Sequence, residues 1–317
     1  MTTLPVPRGS RSRRSAKAQQ AGASEHRFDW RRIAYNALVS RALDDIEEAT
    51  NKNKASVRRE DLVLYQFSAR GHEVAEVILG SLIDHKHDAA SAYYRSRPLL
   101  LSLGLSIEDA FASPLGRSGG FSDGRDIGVV CNLPNRDGPI VLPMSGDVGS
   151  QYTPCAGWSQ AIQYHADVLR DDSWRGAIGV VLGGEGSVAT NGFWSSLTIA
   201  TTLSLPMLFY IEDNGLGISV PGELQTPGGD IARNLRSFGG LHIVSGDGTE
   251  PAEAGALIEE AVGFVRGERA PWQTRRAPRA TCSSMARRSS RADSTQRATP
   301  RRARQTKPNR KVSASTW

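Results

Sequence analysis

Residues 177–219 read AIGVVLGGEGSVATNGFWSSLTIATTLSLPMLFYIEDNGLGIS. A short unbroken apolar run, a glycine-rich turn, a helix-length stretch from Phe193 to Leu205 and a second apolar run at 206–213 follow one another. Apolar strands without a polar face, separated by helices, indicate a parallel sheet covered on both sides. The alternation continues outward, with a helical pattern at 156–170, a strand pattern at 241–248 and a helical pattern at 251–266. The expected fold is therefore α/β, a doubly wound parallel sheet with helices on both faces. Right-handed crossovers put every C-terminal strand end on one edge, which is where such folds bind ligands.

Toward the N-terminus, residues 31–50 place Ile33, Leu38, Ala42 and Ile46 at helical spacing, and a second helix is expected from His72 through residue 83. Between 113 and 149 the chain is rich in Gly, Pro, Asp and Ser and reads as loops. After Ala270 the pattern stops, with no helical or strand period. Three regions follow: a basic tail at 1–27, one folded domain at 28–270 and a second basic tail at 271–317, both tails expected to be disordered. The last is either a natural tail or an out-of-frame reading.

The 317 residues, 39% of them hydrophobic, suffice for one large core. The formal charge of +6 resides in the tails, where Arg and Lys outnumber acids six to one at 1–27 and thirteen to one at 271–317, leaving an acidic body. That distribution argues against a nucleic-acid-binding domain, whose positive charge lies on a structured face. Cys131, Cys155 and Cys282 are far apart and form no CxxC pair, which favours a reducing compartment and no disulfides. No apolar run approaches the roughly 20 residues of a membrane helix. A bacterial cytoplasm is expected, with the mitochondrial matrix as the alternative, because the Arg-rich start lacks an amphipathic apolar face.

Two strand ends carry the chemistry. The first runs into Gly183, Gly184, Glu185, Gly186 and Ser187, and the next into Glu212, Asp213, Asn214, Gly215 and Leu216. A carboxylate, an amide and a backbone carbonyl are hard oxygen ligands suited to magnesium with phosphate oxygens completing its shell. Neither GxGxxG nor GK[ST] is present, which sets aside a dinucleotide site and a P-loop. The bland readings make Glu212 and Asp213 a solvated loop pair, Tyr93 a packing aromatic, His72 a capping or structural residue, and His85, His87 and His165 surface or packing histidines.

The stretch from Gly183 to Ser219 resembles the thiamine-diphosphate fingerprint, which begins GDG and ends NN about thirty residues later, in the form used by alpha subunits of 2-oxo acid dehydrogenases. Glu185 and Asn214 stand 29 positions apart, as that family requires. QFSARGHEVAEVILG at 66–80, SAYYRSR at 91–97 and SQYTPCAGWSQAIQYHADVL at 150–169 resemble further family segments in the right order, so the resemblance covers roughly 28–266.

The resemblance implies the thiamine-diphosphate-binding fold, and thiamine diphosphate and Mg2+ as cofactors. It implies Glu185, Asn214 and the Leu216 carbonyl as metal ligands. Tyr94, Arg95, Gly149, Gly184, Gly186 and Ser187 would join them around the cofactor, and Phe67 would lie near the substrate with a slight preference for branched acids. Glu185 stands where the family has Asp, and Asp213 where it has Asn. The implied activity is oxidative decarboxylation of a 2-oxo acid with acyl transfer to a lipoyl group. The implied partners are a beta subunit, in an alpha2beta2 assembly, and a lipoylated acyltransferase component. The family continues past Arg266 with a strand and an R-x-x-GHS loop, whose catalytic histidine this chain lacks: none follows His242. The alternatives are a catalytically impaired, truncated or frameshifted remnant, and a thiamine enzyme of transketolase type.

Overall fold

The computed structural model describes residues 28–52, 58, 62–63, 66–121, 123–125, 133, 138–143, 145–267 and 280–286. Its elements in chain order are α1 (Trp30–Lys52), α2 (Glu73–Leu82), β1 (Ala89–Ser91), α3 (Arg97–Ser102), α4 (Ile107–Ala112) and β2 (Ile140–Val141). Then come α5 (Tyr152–Gln163), extended by a π-turn at Tyr164–Val168, β3 (Gly179–Gly184), α6 (Asn191–Leu203), β4 (Met207–Asp213) and a small hairpin of β5 (Leu216–Gly217) and β6 (Val220–Pro221). Last are α7 (Ile231–Leu235), β7 (Leu241–Asp247), α8 (Pro251–Arg266) and β8 (Ala280–Ala286).

Six strands form one sheet in the order β2-β1-β3-β4-β8-β7, and every pair is parallel. The two apolar runs that flank the glycine-rich turn are its adjacent strands β3 and β4, in register from Gly179 opposite Met207 to Gly184 opposite Glu212. Because strand side chains alternate between faces, Val180, Leu182, Leu208 and Tyr210 enter one core with residues of α1, α2 and α8. Val181, Met207, Phe209 and Ile211 enter the other, with residues of α5, α6 and α7. Each such buried side chain contributes about 1.5–3 kcal/mol relative to exposure, so both faces need their helices.

α6 shows how local sequence sets its place. Thr190 caps it by accepting the Phe193 N–H at 3.4 Å, Phe193, Leu197 and Ala200 form its buried stripe, and Ser204 ends it in the left-handed region at φ 53°. The expected doubly wound sheet is thus present, with helices on both faces.

The segment after Ala270 differs from its expectation. Ala280–Ala286 is a strand, inserted between β4 and β7 with a parallel ladder on each side. Two ladders satisfy its backbone, so ATCSSMA needs no long apolar run to hold its place, and pattern rules do not register it. The short strand β2 likewise lies inside the stretch read as loops. The tail residues 1–27, 271–279 and 287–317, and with them the expected disorder, lie outside the described residues, as does Cys131. Cys155 is buried and free.

The N-terminal ends of β1 and β3 are joined by a buried ion pair. Asp88, fully buried, accepts from the Ile178 N–H at 2.8 Å, from the Asp84 and His85 N–H groups at 3.1 and 3.0 Å, and from both terminal nitrogens of Arg266 at 3.1 and 2.6 Å. Arg266 also donates to the Gly176 and Leu82 carbonyls, both at 2.8 Å. Removing one partner of such a pair leaves a buried charge uncompensated, at a cost of about 3–5 kcal/mol. Arg266→Met is expected to lose that much in urea unfolding, whereas Asp84→Ala, which removes only the exposed carboxylate bonded to Arg266 at 3.1 Å, should lose less than about 1 kcal/mol. Equal losses would show that Asp88 is not the buried anion that matters.

Candidate functional site

All strands of the six-stranded sheet being parallel, the tips of β1, β3 and β4 share one edge. Strand order reverses between β1 and β3, since the chain passes from β1 outward to β2 and from β3 the other way to β4. A crevice at such a reversal is the usual ligand position in open α/β sheets.

Tyr94 and Arg95 follow the β1 tip. Arg95 donates to the Tyr94 hydroxyl at 2.9 Å, and its guanidinium carbon lies 5.0 Å from the centre of the Tyr94 ring. Phe67 packs tilted against Tyr94, their ring centres 4.5 Å apart, and is 40% exposed. Tyr93 is buried against Tyr94 at 3.9 Å and lies beside Gly184, where a Cβ would stand 3.5 Å from its ring.

The β3 tip is close-packed. A side chain on Gly183 would overlap the Tyr152 and Ser187 hydroxyls, which are 2.5 Å apart. Ser187 also donates to the Gly184 carbonyl at 2.6 Å, so its hydroxyl is fully engaged and only its backbone remains for a ligand. Gly149, at φ 96°, packs its backbone on Thr190 and Gly192 at the start of α6, which brings the loop before α5 to the same edge. Gln151, which pattern reading passes over, holds that loop: it accepts the Gly149 N–H at 2.9 Å and donates to the Leu182 carbonyl at 3.0 Å. Gln225 is another omission. Its amide sits against Gly186 and Gly217, and it donates to the Val220 carbonyl at 2.7 Å.

Glu185 starts a 3-10 turn directly after β3 and is 4% exposed. Burial, the largest cause, raises its pKa, and the Asp213 carboxylate raises it further; hydrogen bonds from its own N–H and that of Leu216, and the charge of Arg95, pull it down. One oxygen, Oε1, is buried without a hydrogen-bond partner among the described residues. Asn214 Oδ1 accepts the Leu216 N–H at 3.0 Å and Asp213 Oδ1 the Gly215 N–H at 3.0 Å. The group facing Glu185 from the β4 tip is thus Asp213, with the Leu216 N–H. A cavity of about 310 Å³ opens beside them, lined by Glu185, Asp213, Gly215, Gly222, Glu223 and Thr226, among others. An orphaned buried oxygen next to a second carboxylate suits a hard cation. No cluster of three or more His, Cys, Asp or Glu placed to hold a metal occurs among the described residues, so a cation here needs oxygens from a ligand.

Glu212 is not part of a solvated loop pair. It is 2% exposed, and its carboxyl faces that of the fully buried Glu76, with His72 Nδ1 3.6 Å from its Oε1. Neither Glu212 oxygen nor the Tyr210 hydroxyl beneath has a hydrogen-bond partner among the described residues. His72 stands at the N-cap position of α2 without capping through its side chain. His87 and His165 stack on opposite sides of the Trp174 ring at 3.8 and 4.2 Å, a packing role far from this edge.

The fold is an open parallel α/β sheet with a crevice where its strand order reverses. Residues 41–270 match the dehydrogenase E1 component family, which is more than half of the chain, and the protein belongs to that family. It is 25% identical over 207 residues to the 2-oxoisovalerate dehydrogenase subunit alpha of Bacillus subtilis, covering 65% of this chain and 59% of that protein. It is 22% identical over 211 residues to the pyruvate dehydrogenase E1 component subunit alpha of the same organism, covering 67% and 51%. The match thus spans little more than half the length of these relatives. Among solved structures, a transketolase from Campylobacter jejuni superposes with a TM-score of 0.55 at 15% identity, over 81% of this chain and 37% of that one, a likeness of fold alone. No helix among the described residues is long and apolar enough to cross a membrane.

The Glu76–Glu212 contact makes a pH prediction. Burial first, and the Glu212 carboxyl second, hold the Glu76 pKa well above its ordinary 4.5. The fold therefore keeps a proton that the unfolded chain releases above that pH, and stability falls as pH rises through this window. Glu76→Gln, which retains an acceptor for the Leu99 N–H at 3.3 Å, is expected to raise Tm at pH 7–8 and to lose that advantage toward pH 4. A gain independent of pH would show that Glu76 does not carry the proton.

Proposed function

We propose that this chain is the alpha subunit of a thiamine-diphosphate- and Mg2+-dependent 2-oxo acid dehydrogenase. The observation that carries the reading is the Glu185 carboxyl, buried with one orphaned oxygen at the β3 tip, facing Asp213 and within electrostatic reach of Arg95. Glu185 and Asn214 are the proposed side-chain ligands of Mg2+, with the Leu216 carbonyl as the third, and the nearby Asp213 strengthens the negative field. Bringing a cation to Glu185 offsets the desolvation that favours its protonated form, so ionisation and metal binding are coupled. Arg95, pre-oriented by Tyr94, opposes phosphate charge. Gly184, Gly186 and Ser187 offer backbone rather than side chains, and Gly149 carries loop backbone toward the ring of the cofactor. When bound, thiamine diphosphate supplies the nucleophilic carbon and the electron sink that decarboxylation of a 2-oxo acid needs.

Phe67 forms the apolar wall on the substrate side and favours a branched acid over pyruvate. The lipoylated acyltransferase component is the proposed acyl acceptor, the beta subunit the partner in an alpha2beta2 assembly, and the cytoplasm the compartment. A second reading is favoured by one feature of the sequence: no histidine follows His242. In it, the chain keeps the fold and the cofactor site but lacks the group its relatives place beside the reaction centre.

Calorimetry and thermal unfolding of the full chain test the site. Mg2+ together with thiamine diphosphate is expected to raise Tm, by an amount equivalent to about 2.7 kcal/mol at a hundredfold excess over Kd, and Glu185→Ala to abolish the Mg2+-dependent part. No shift at saturation would overturn the proposal. Decarboxylation assays with the matching beta subunit then separate the two readings, activity supporting the first and bound cofactor without turnover the second.

A further inference from the structure

One carboxylate, remote from the proposed metal position, ties together both halves of the aromatic wall. Asp44 lies in the middle of α1 and is 1% exposed. Its Oδ2 accepts the Ser68 hydroxyl at 2.7 Å and the Ala69 N–H at 3.0 Å, and its main-chain carbonyl accepts the Gln66 amide at 2.9 Å. These bonds bracket Phe67 on both sides, in a stretch with no helix or strand of its own. Its Oδ1 accepts Arg97 Nη1 at 3.1 Å, and the other Arg97 nitrogen reaches Glu47 Oε1 at 2.5 Å. Arg97 begins α3, immediately after the turn in which the Ser96 N–H donates to the Tyr93 carbonyl at 2.9 Å and the Ser96 hydroxyl accepts the Tyr93 N–H at 3.1 Å. That turn presents Tyr94 and Arg95. Phe67 and Tyr94 therefore meet at 4.5 Å because two otherwise independent segments are bonded to opposite oxygens of the same buried side chain.

We infer that Asp44 is a positioning residue which, by clamping the Phe67 segment and the Tyr94–Arg95 turn to one carboxylate, sets the size of the acyl side chain the site admits. The inference rests on the functional reading above. Burial keeps the clamp out of competition with water, where exposed ion pairs contribute little, and its divided loyalty makes it separable. Losing Ser68 Oγ loosens only the Phe67 side, where the Ala69 N–H and the Gln66 amide stay bonded, while Asp44→Asn leaves one oxygen acceptor where two serve now, so that the two sides compete for it. Glu47 and Asp44 are bonded to one guanidinium, so the Arg97 side is held from Glu47 as well. Displacing a wall by an ångström is enough to change rate or binding severalfold to a hundredfold.

The test compares Ser68→Ala, Asp44→Asn and Phe67→Ala with the unaltered chain. Three quantities are read: the Kd for Mg2+–thiamine diphosphate, amide hydrogen exchange across 66–71, and, in the loaded complex with the beta subunit, the relative affinity for methyl acetylphosphonate and its isobutyryl homologue. These phosphonates resist decarboxylation, so the comparison does not require turnover. Ser68→Ala is expected to speed exchange at 66–71 and to move the isobutyryl-to-acetyl ratio in the same direction as Phe67→Ala, by roughly tenfold, with cofactor Kd within about twofold of the unaltered chain. Asp44→Asn should change the ratio and also weaken cofactor binding. An unchanged ratio in Ser68→Ala despite faster exchange, or a ratio altered in Asp44→Asn only in proportion to cofactor Kd, would overturn the inference and leave Asp44 a purely structural residue. Failure of the unaltered chain to bind Mg2+–thiamine diphosphate would instead overturn the functional reading, and the exchange data would still decide whether the clamp exists.

Discussion

The parallel ladder between β3 and β4 is the constraint on which the candidate site depends. With Gly184 opposite Glu212, Glu185 just past β3 and Asp213 at the end of β4 emerge side by side on one edge, and the two carboxyls meet without any long loop having to bring them together. A slip of one residue would turn the alternating side chains of a strand to the opposite face, moving Val180 and Leu182 out of one core and Val181 out of the other. Register is therefore held by two hydrophobic cores at once, and the site inherits the precision of that packing.

Around this ladder the molecule keeps an unusual amount of charge indoors. Asp88 with Arg266 secures the edge opposite the site, Asp44 and Glu47 with Arg97 secure the flank, and Glu76 faces Glu212 beneath the tip itself. In the first two a cation is shared, Arg266 between carboxylates and backbone carbonyls and Arg97 between two carboxylates, which offsets much of the desolvation of the charges. The third pairs two acids, with no direct ion pair between Glu76 and a cation among the described residues, and burial there holds the Glu76 pKa up so that it retains a proton. The three clusters thus obey one rule in different ways: a buried ion is matched, or it is neutralised.

The elements legible in the sequence were those whose side chains are buried on both faces of the sheet. Runs such as 179–184 and 207–213 are long, apolar and closed by Gly or Asp, and α6 and α8 carry clear caps. β1 and β2, at three and two residues, are too short for any period, and β8 carries small and polar residues where a pattern would need large apolar ones. The site divided in the same manner. Glu185, Tyr94, Arg95 and Phe67 were marked by type and by family likeness, and the structure gathers Tyr94, Arg95 and Phe67 in one group and Glu185 beside Asp213. Glu212 was misplaced because a carboxylate next to Asp213 and Asn214 looks solvated, although strand alternation sends it inward. Gln151 reaches the Leu182 carbonyl across 31 positions and Gln225 packs on Gly186, and no local spacing marks an amide for such work.

Arg266 and Asp88 are separated by 178 positions, and this has a bearing on how the protein is made. During synthesis, β1 and α2 leave the ribosome long before α8 exists, so Asp88 passes that interval solvated and without its cation. Closing a contact of such span carries a large entropic cost before any return. The buried ion pair that joins the N-terminal ends of β1 and β3 can accordingly close only once residue 266 has been made, and until then that end of the nascent sheet lacks its cation and is open to chaperones.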